Sequence, residues 1–206
     1  MISTPDLYYE KKTMVSLYTH CRLRRSRAWC IGWTCLRWGN HLAQRKPASI
    51  KRFISSSRFK TINPQKRQQL IPLIKKIALT WGIGFSTAEE IDQLGIVPAT
   101  RLAASRAVEA LHFIPNFLLT DFRLELPELD TPQTAIVKGD QKSLSIASAS
   151  ILAKTARDEI MSNLDEQFQK YNFATHKGYG TFAHRQKIQQ FGYSSIHRKT
   201  FQLKEN

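Results

Sequence analysis

Beyond residue 60 the chain alternates between two spacings of apolar residues. Over 64–80 (PQKRQQLIPLIKKIALT) Leu70, Leu73, Ile74 and Ile77 recur three and four apart, which makes one face of a helix. Asn63 is its cap and Pro64 its first residue. Residues 81–86 (WGIGFS) read as a strand. A short helix follows over 87–95 (TAEEIDQLG), capped by Ser86 or Thr87, with Glu89 and Glu90 in its first turn where they complement the helix dipole. Pro98 opens a helix over 98–113. Residues 116–120 (NFLLT) form a buried strand with Asp121 at its C-terminal end, and an extended loop leads to a short strand over 134–137. Strands alternating with helices predict an α/β domain.

The stretch 138–158, KGDQKSLSIASASILAKTARD, organises the rest. A charged turn containing Gly139 runs into a helix built largely of Ser and Ala, ending on Arg157 and Asp158. Small side chains let another backbone come close, and the terminal carboxylate is held on a rigid element. On its own such a helix is more often plain packing with solvated charge in its last turn. Further helical segments are expected over 165–171 and 182–191, with the loop HKGYGT at 176–181 between them.

The first 60 residues break this order. A short helix is expected around 8–16, but residues 20–59 mix Arg, Trp and Cys with neither helical nor strand periodicity. The charge is lopsided as well. The 206-residue chain carries a formal +15, yet residues 1–60 hold 13 Lys and Arg against two acids, while the remainder holds 18 against 14. Such a balance points to a polyanion, nucleic acid before membrane. One reading of 20–59 is a basic, aromatic nucleic-acid-binding arm. The length suits one domain with a real core. No apolar run is long enough to span a bilayer and no secretory leader is visible, so a cytoplasmic location and a monomer are expected. Cys21, Cys30 and Cys35 are odd in number and lack a CxxC, which excludes a disulfide framework or a zinc site. No P-loop or nucleophile triad is present.

Two carboxylates have the placement that metal-dependent phosphodiester hydrolysis needs, converging from different elements: Asp121 at a strand end and Asp158 on the helix. Each alone reads equally well as a solvated acid, Asp158 as a surface partner of Lys154. Gly178 and Gly180 flank Tyr179 and allow close backbone approach. Lys138, Lys142 and Lys177 are candidate phosphate contacts, and His197-Arg198-Lys199 extends that basic surface.

Taken in order, KGDQKSLSIASASILAK, RD, HKGYGT and IHRKTF resemble the C-terminal half of ribonuclease HII, and the likeness extends back to about residue 60. The resemblance implies a ribonuclease H-like mixed sheet flanked by helices, with a small helical C-terminal part. It implies cleavage of the RNA strand of RNA–DNA hybrids, 5′ to a ribonucleotide, with Mn²⁺ or Mg²⁺. By motif, Asp121 and Asp158 match two of four metal-binding carboxylates, and Tyr179 matches a tyrosine that packs on the ribonucleotide and senses its 2′-hydroxyl. Asp92, Glu125, Asp130 and Asp140 fall outside the matching positions.

The family's Asp-Glu pair and Gly-Arg-Gly loop should stand within residues 20–59, and neither does. Permitted codons for Cys21–Thr34, read in a shifted frame from the last two bases of a CAT codon for His20, spell Ile-Ala-Gly-Leu-Asp-Glu-Ala-Gly-Arg-Gly-Ala-Leu-Ala-Gly. Arg58-Phe59 in the same frame gives Asp-Ser before Lys60. The expectation is therefore an out-of-frame segment over about 20–59 and a ribonuclease HII-like domain over 60–206. The first strands are expected to be missing or garbled, leaving a central strand unpaired, and the chain as written poorly folded and inactive. The alternative is a non-catalytic basic nucleic-acid-binding protein, whose binding falls steeply with salt and ignores RNA against DNA.

Overall fold

A computed structural model describes residues 15–19, 30–38, 62–111 and 114–200, the first two stretches as backbone alone. Five strands form one mixed sheet in the order β3-β2-β1-β4-β5. They are β1 (Val15–Thr19), β2 (Cys30–Trp38), β3 (Ala78–Ser86), β4 (Leu118–Asp121) and β5 (Gln133–Ile136). β1 and β2, and β2 and β3, pair antiparallel; β1 and β4, and β4 and β5, pair parallel.

The expected loss of the first strands is thus corrected: β1 and β2 occupy the middle of the sheet and β4 is paired on both sides. Ladder hydrogen bonds are made by main-chain groups, so a segment needs only to lack proline and to tolerate extension. VSLYT and CIGWTCLRW meet both conditions. The helix expected around 8–16 is corrected at Val15 and Ser16, which belong to β1; its other residues, and the boundary at 59/60, lie outside the described residues.

Helix α1 (Pro64–Ile77) starts as expected, with the Asn63 side chain accepting from the Lys66 N–H at 2.9 Å. It stops three residues early because Ala78, Leu79 and Thr80 join β3 along its ladder with β2. Helix α2 (Ala88–Leu94) carries a full capping box between Thr87 and Glu90. Glu90 also binds Arg106 of α3 (Ile96–Glu109) at 2.6 Å. That guanidinium holds its carboxyl down at about 2. β3 packs on α3 without side chains at two points: a Cβ on Gly84 would sit 2.1 Å from the Ala103 carbonyl, and one on Gly82 would sit 2.5 Å from that of Ala107.

After α4 (Gly139–Lys142) comes α5 (Leu144–Gln167), one helix of 24 residues. It absorbs both the Ser/Ala segment and the start of the separate helix expected at 165, since no Gly or Pro lies between Asp158 and Gln167. Every residue from Leu144 to Ala153 is buried. A helix buried all round needs small side chains on the faces that meet backbone, which is why Ser and Ala dominate here. Leu118 and Leu119 are neighbours on β4 and point to opposite faces. Leu118 packs with Ala103, Ala104 and Ala107 of α3, whereas Leu119 packs with Ile146 and Leu152 of α5 and Leu70 of α1. The sheet is therefore covered on both sides.

A 3₁₀ turn (Gln169–Tyr171), α6 (Phe173–His176) and α7 (Phe182–Phe191) build a second small core around Met161, Tyr171, Phe173 and Ile188. Asp92 of α2 ties the following segment down, accepting from the Lys199 and Thr200 amides at 2.7 and 3.1 Å. No helix among the described residues is long and apolar enough to cross a membrane.

Candidate active site

β4 delivers Asp121 to the C-terminal edge of the sheet, where one Oδ1 accepts from the Gly139 N–H at 2.8 Å. That approach needs glycine: a Cβ at 139 would lie 3.2 Å from the same Oδ1 and 2.6 Å from the Ile146 side chain. Lys138, just before it, sits in the left-handed region at φ 57°, a conformation costly for a side-chain-bearing residue and typical of functional turns. The turn so made presents Asp140, which is only 6% exposed.

Burial raises the Asp121 carboxyl above its ordinary 3.8; the Gly139 amide opposes this, and the neighbouring Asp140 charge adds to it. The third member is Lys154, on α5. Burial brings its ammonium down to about 8, against the pull of Asp140 and Asp121 and with a further push from Arg67 and Arg157. Two carboxylates thus act on one lysine whose ammonium is destabilised by burial. Hard oxygen donors short of positive charge fit a divalent cation, and Asp121 and Asp140 are the residues that would hold it. Among the described residues no group of three or more His, Cys, Asp or Glu is assembled. The register explains why. Leu17 of β1 lies opposite Thr120, so Tyr18 comes level with Asp121. The strand VSLYT carries no acid.

Asp158, expected beside Asp121, has different company. Its Oδ2 accepts from Arg67 Nη2 at 2.5 Å, and its Oδ1 from Arg157 Nη2 at 2.5 Å and Nε at 3.1 Å. Two guanidiniums engage both oxygens of a carboxylate that is 16% exposed. The charge is already over-compensated. Arg157 in turn lies over the Tyr179 ring, 4.6 Å from its centroid, and donates to its hydroxyl. Asp158 therefore reaches Tyr179 through Arg157.

Tyr179 is half-buried in a turn whose two preceding residues both lie in the left-handed region: Lys177 has φ 49° and Gly178 φ 76°. Gly180 follows, partly exposed. The Lys177 ammonium donates to the Ser162 hydroxyl at 2.6 Å, which turns it back onto α5. Lys138 and Lys142 are exposed, as phosphate contacts must be. The basic surface expected at 197–199 is corrected: His197 and Arg198 are buried, and Lys199 alone is exposed. His197 packs against Tyr171 and Phe173 of the small core, and the segment that follows is anchored on Asp92. Asp140, set aside in the sequence as outside the matching positions, is buried close enough to Asp121, 19 residues earlier, for its charge to act on it, a placement that spacing along the chain does not show. Arg67 carried no signal at all, lying on the polar side of α1.

A family model described as ribonuclease HII matches residues 57–204. The ribonuclease HII of Dehalococcoides mccartyi strain BAV1 is 50% identical over 142 residues, covering 69% of this chain and 66% of that protein. That of Clostridioides difficile strain 630 is 46% identical over 142 residues, 69% of this chain and 55% of that one. The chain thus spans from about half to about two thirds of the length of the curated relatives it matches. The ribonuclease H2 of Pyrococcus horikoshii superposes with a TM-score of 0.69 at 18% identity, over 91% of this chain and 93% of that one. The ribonuclease HII seen with PCNA from Archaeoglobus fulgidus gives 0.67 at 18% identity, over 94% and 97%. These two likenesses establish a ribonuclease H-like fold, and the sequence matches establish descent: this chain belongs to the ribonuclease HII family.

Proposed function

We propose that this protein binds RNA–DNA hybrids, or DNA containing ribonucleotides, and that its site is built to hydrolyse the phosphodiester 5′ to a ribonucleotide, leaving 3′-hydroxyl and 5′-phosphate ends. The single observation that carries the reading is that half-buried Asp121, at the end of an inner strand, and buried Asp140 lie close enough to act on each other and on Lys154 through their charges. A bound Mn²⁺ or Mg²⁺ would supply water activation and charge neutralisation there. The chain's own groups do the rest. The Gly139 amide orients Asp121. Lys154 offsets the carboxylates when no cation is present. Arg157, held by Asp158, sets the Tyr179 ring against the ribose. Lys138 and Lys142 meet the phosphates.

Two acids hold a cation pair poorly, and β1 adds none. Residues of about 20–59 are out of frame in this reading, since codons permitted for Cys21–Thr34, read in the shifted frame, spell the acidic pair that the site lacks. The ladders of β1 and β2 do not oppose it, because main-chain pairing is indifferent to frame. The 206-residue chain accordingly binds hybrid without cutting it. The test is a gel assay with Mn²⁺ on a duplex containing one embedded ribonucleotide. The chain as it stands leaves the duplex intact, and a version with residues 20–59 restored to the shifted frame nicks it. Cleavage by the unaltered chain would overturn the reading. Sequencing the gene over codons 15–65 decides the frame independently.

The missing acids also favour a second reading, a non-catalytic basic binder. Its affinity would fall steeply with salt, ignore the sugar and survive Asp121→Asn with Asp158→Asn.

A further inference from the structure

Three imidazoles lie buried in the small C-terminal core: His176, His184 and His197 are 7%, 0% and 1% exposed. His176 and His184 stack with centroids 4.0 Å apart, and all three rings lie against Phe173. A buried imidazole must find partners for both nitrogens, and here main-chain amides decide which nitrogen carries the proton.

The Ser194 N–H points at His197 Nδ1 from 3.0 Å, and the Ser194 hydroxyl is 2.6 Å from the same nitrogen. An amide can only donate, so His197 Nδ1 is an acceptor and a neutral His197 keeps its proton on Nε2. That proton faces His184 Nε2 at 3.0 Å. His184 Nε2 must accept, which puts its proton on Nδ1, and Nδ1–H donates to the Tyr179 carbonyl at 2.9 Å. His176 is fixed in the same way. The Gly178 N–H donates to its Nδ1 at 3.2 Å, leaving Nε2–H to donate to the Tyr171 carbonyl at 2.6 Å. The two routes converge: the amide of Gly178 rests on one imidazole and the carbonyl of Tyr179 on another. The first route begins at Ser194, in the segment that Asp92 anchors to α2.

We propose that His176, His184 and His197 are positioning residues for Tyr179, a directional chain of neutral imidazoles that fixes its backbone while Arg157 fixes its ring, and that the preference for a ribonucleotide depends on this chain. The proposal rests on the reading that Tyr179 faces the ribose. His184 is the residue that sets the direction, since it alone of the three must hold the Nδ1–H form. A ring that only filled space would have no reason to be restricted to it.

The test uses the full chain in two ways. Long-range ¹⁵N–¹H spectra of histidine-labelled protein report tautomers directly, and they should show Nδ1–H for His184 with Nε2–H for His176 and His197. Fluorescence anisotropy then compares a duplex carrying one ribonucleotide with the all-DNA duplex. His197→Phe keeps a ring against Tyr171 and Phe173 but removes the donor to His184; it should cut the preference by about tenfold, the worth of one buried hydrogen bond. His197→Gln, whose amide can still donate to His184, should keep most of it. Equal loss of binding to both duplexes in both variants, tracking their melting temperatures, would reduce the chain to packing and overturn the proposal. So would an Nε2–H His184. If Tyr179→Leu leaves the preference unchanged while the tautomers are as stated, the reading of Tyr179 fails and the positioning role with it, and the imidazole chain stands as structure alone.

Discussion

Asp121 and Asp158 sit in opposite electrostatic surroundings although both are carboxylates held on rigid elements. Asp121 feels a second acid, Asp140, and both act on one lysine that burial holds down at about 8. Asp158 has two arginines, one on each oxygen. Identical chemistry is thus placed where charge is missing in one case and where it is already balanced in the other. A site that waits for a cation must be left short of positive charge by the protein, since metal binding is favoured by what it neutralises. A carboxylate clamped by guanidiniums is a strut, and its product is the orientation of Arg157 beneath Tyr179.

Four measurements press on this contrast. The largest effect is expected in a chain whose residues 20–59 are restored to the shifted frame. There Asp121→Asn and Asp140→Asn should each lower the single-turnover cleavage rate by ~10³-fold, on the order of removing a principal stabiliser of developing charge. Asp158→Asn should cost only ~10–100-fold, as for a residue acting through another, and chiefly in KM. Equal losses at 121 and 158, all in kcat, would erase the distinction.

Arg157→Met comes next. It removes the hydroxyl hydrogen bond and the cation over the ring. The preference for a ribonucleotide-containing duplex should fall by about tenfold by anisotropy, with affinity for plain DNA nearly unchanged.

Smaller again is the stability of the metal-free protein. The folded state raises the Asp121 carboxyl above 3.8, so it binds that proton more tightly than the unfolded chain does. The ionised acid therefore destabilises the fold at neutral pH, and the penalty vanishes below about pH 4. In EDTA at pH 7, Asp121→Asn should raise the melting temperature by about 2–4 °C, the shift that roughly 1 kcal/mol gives at this size. A lower melting temperature would mean that Asp121 is already neutralised and the site needs no cation.

The smallest effect concerns His176. Burial lowers its imidazole below 6.5, with the Tyr171 carbonyl and Asp165 partly opposing. The neutral ring's contribution is intact above about pH 6.5 and is lost as pH falls through the lowered value. Melting curves between pH 7 and pH 5 should decline, and His176→Gln should flatten that decline by about 1–2 °C. An unchanged slope would place the acid sensitivity elsewhere.

Local signals told a good deal. Asn63 and Thr87 cap the helices they precede, and residues 182–191 form the last helix as their spacing requires. These features depend on residues within one turn of each other. The order of motifs from Lys138 to Phe201 was enough to place the chain in its family, and the position of Asp121 at the end of a strand was read correctly. What spacing could not reach were contacts between distant segments. Val15–Thr19 and Cys30–Trp38 became central strands because main-chain groups of β3 and β4 were available to pair with them, which no side-chain pattern announces. The division between Asp140, left with a lysine, and Asp158, held by Arg67 from 91 residues away, was likewise made by tertiary packing. Carboxylates are alike in sequence, and the charges that surround them after folding decide which one is left facing a lysine and another acid and which one is clamped between arginines.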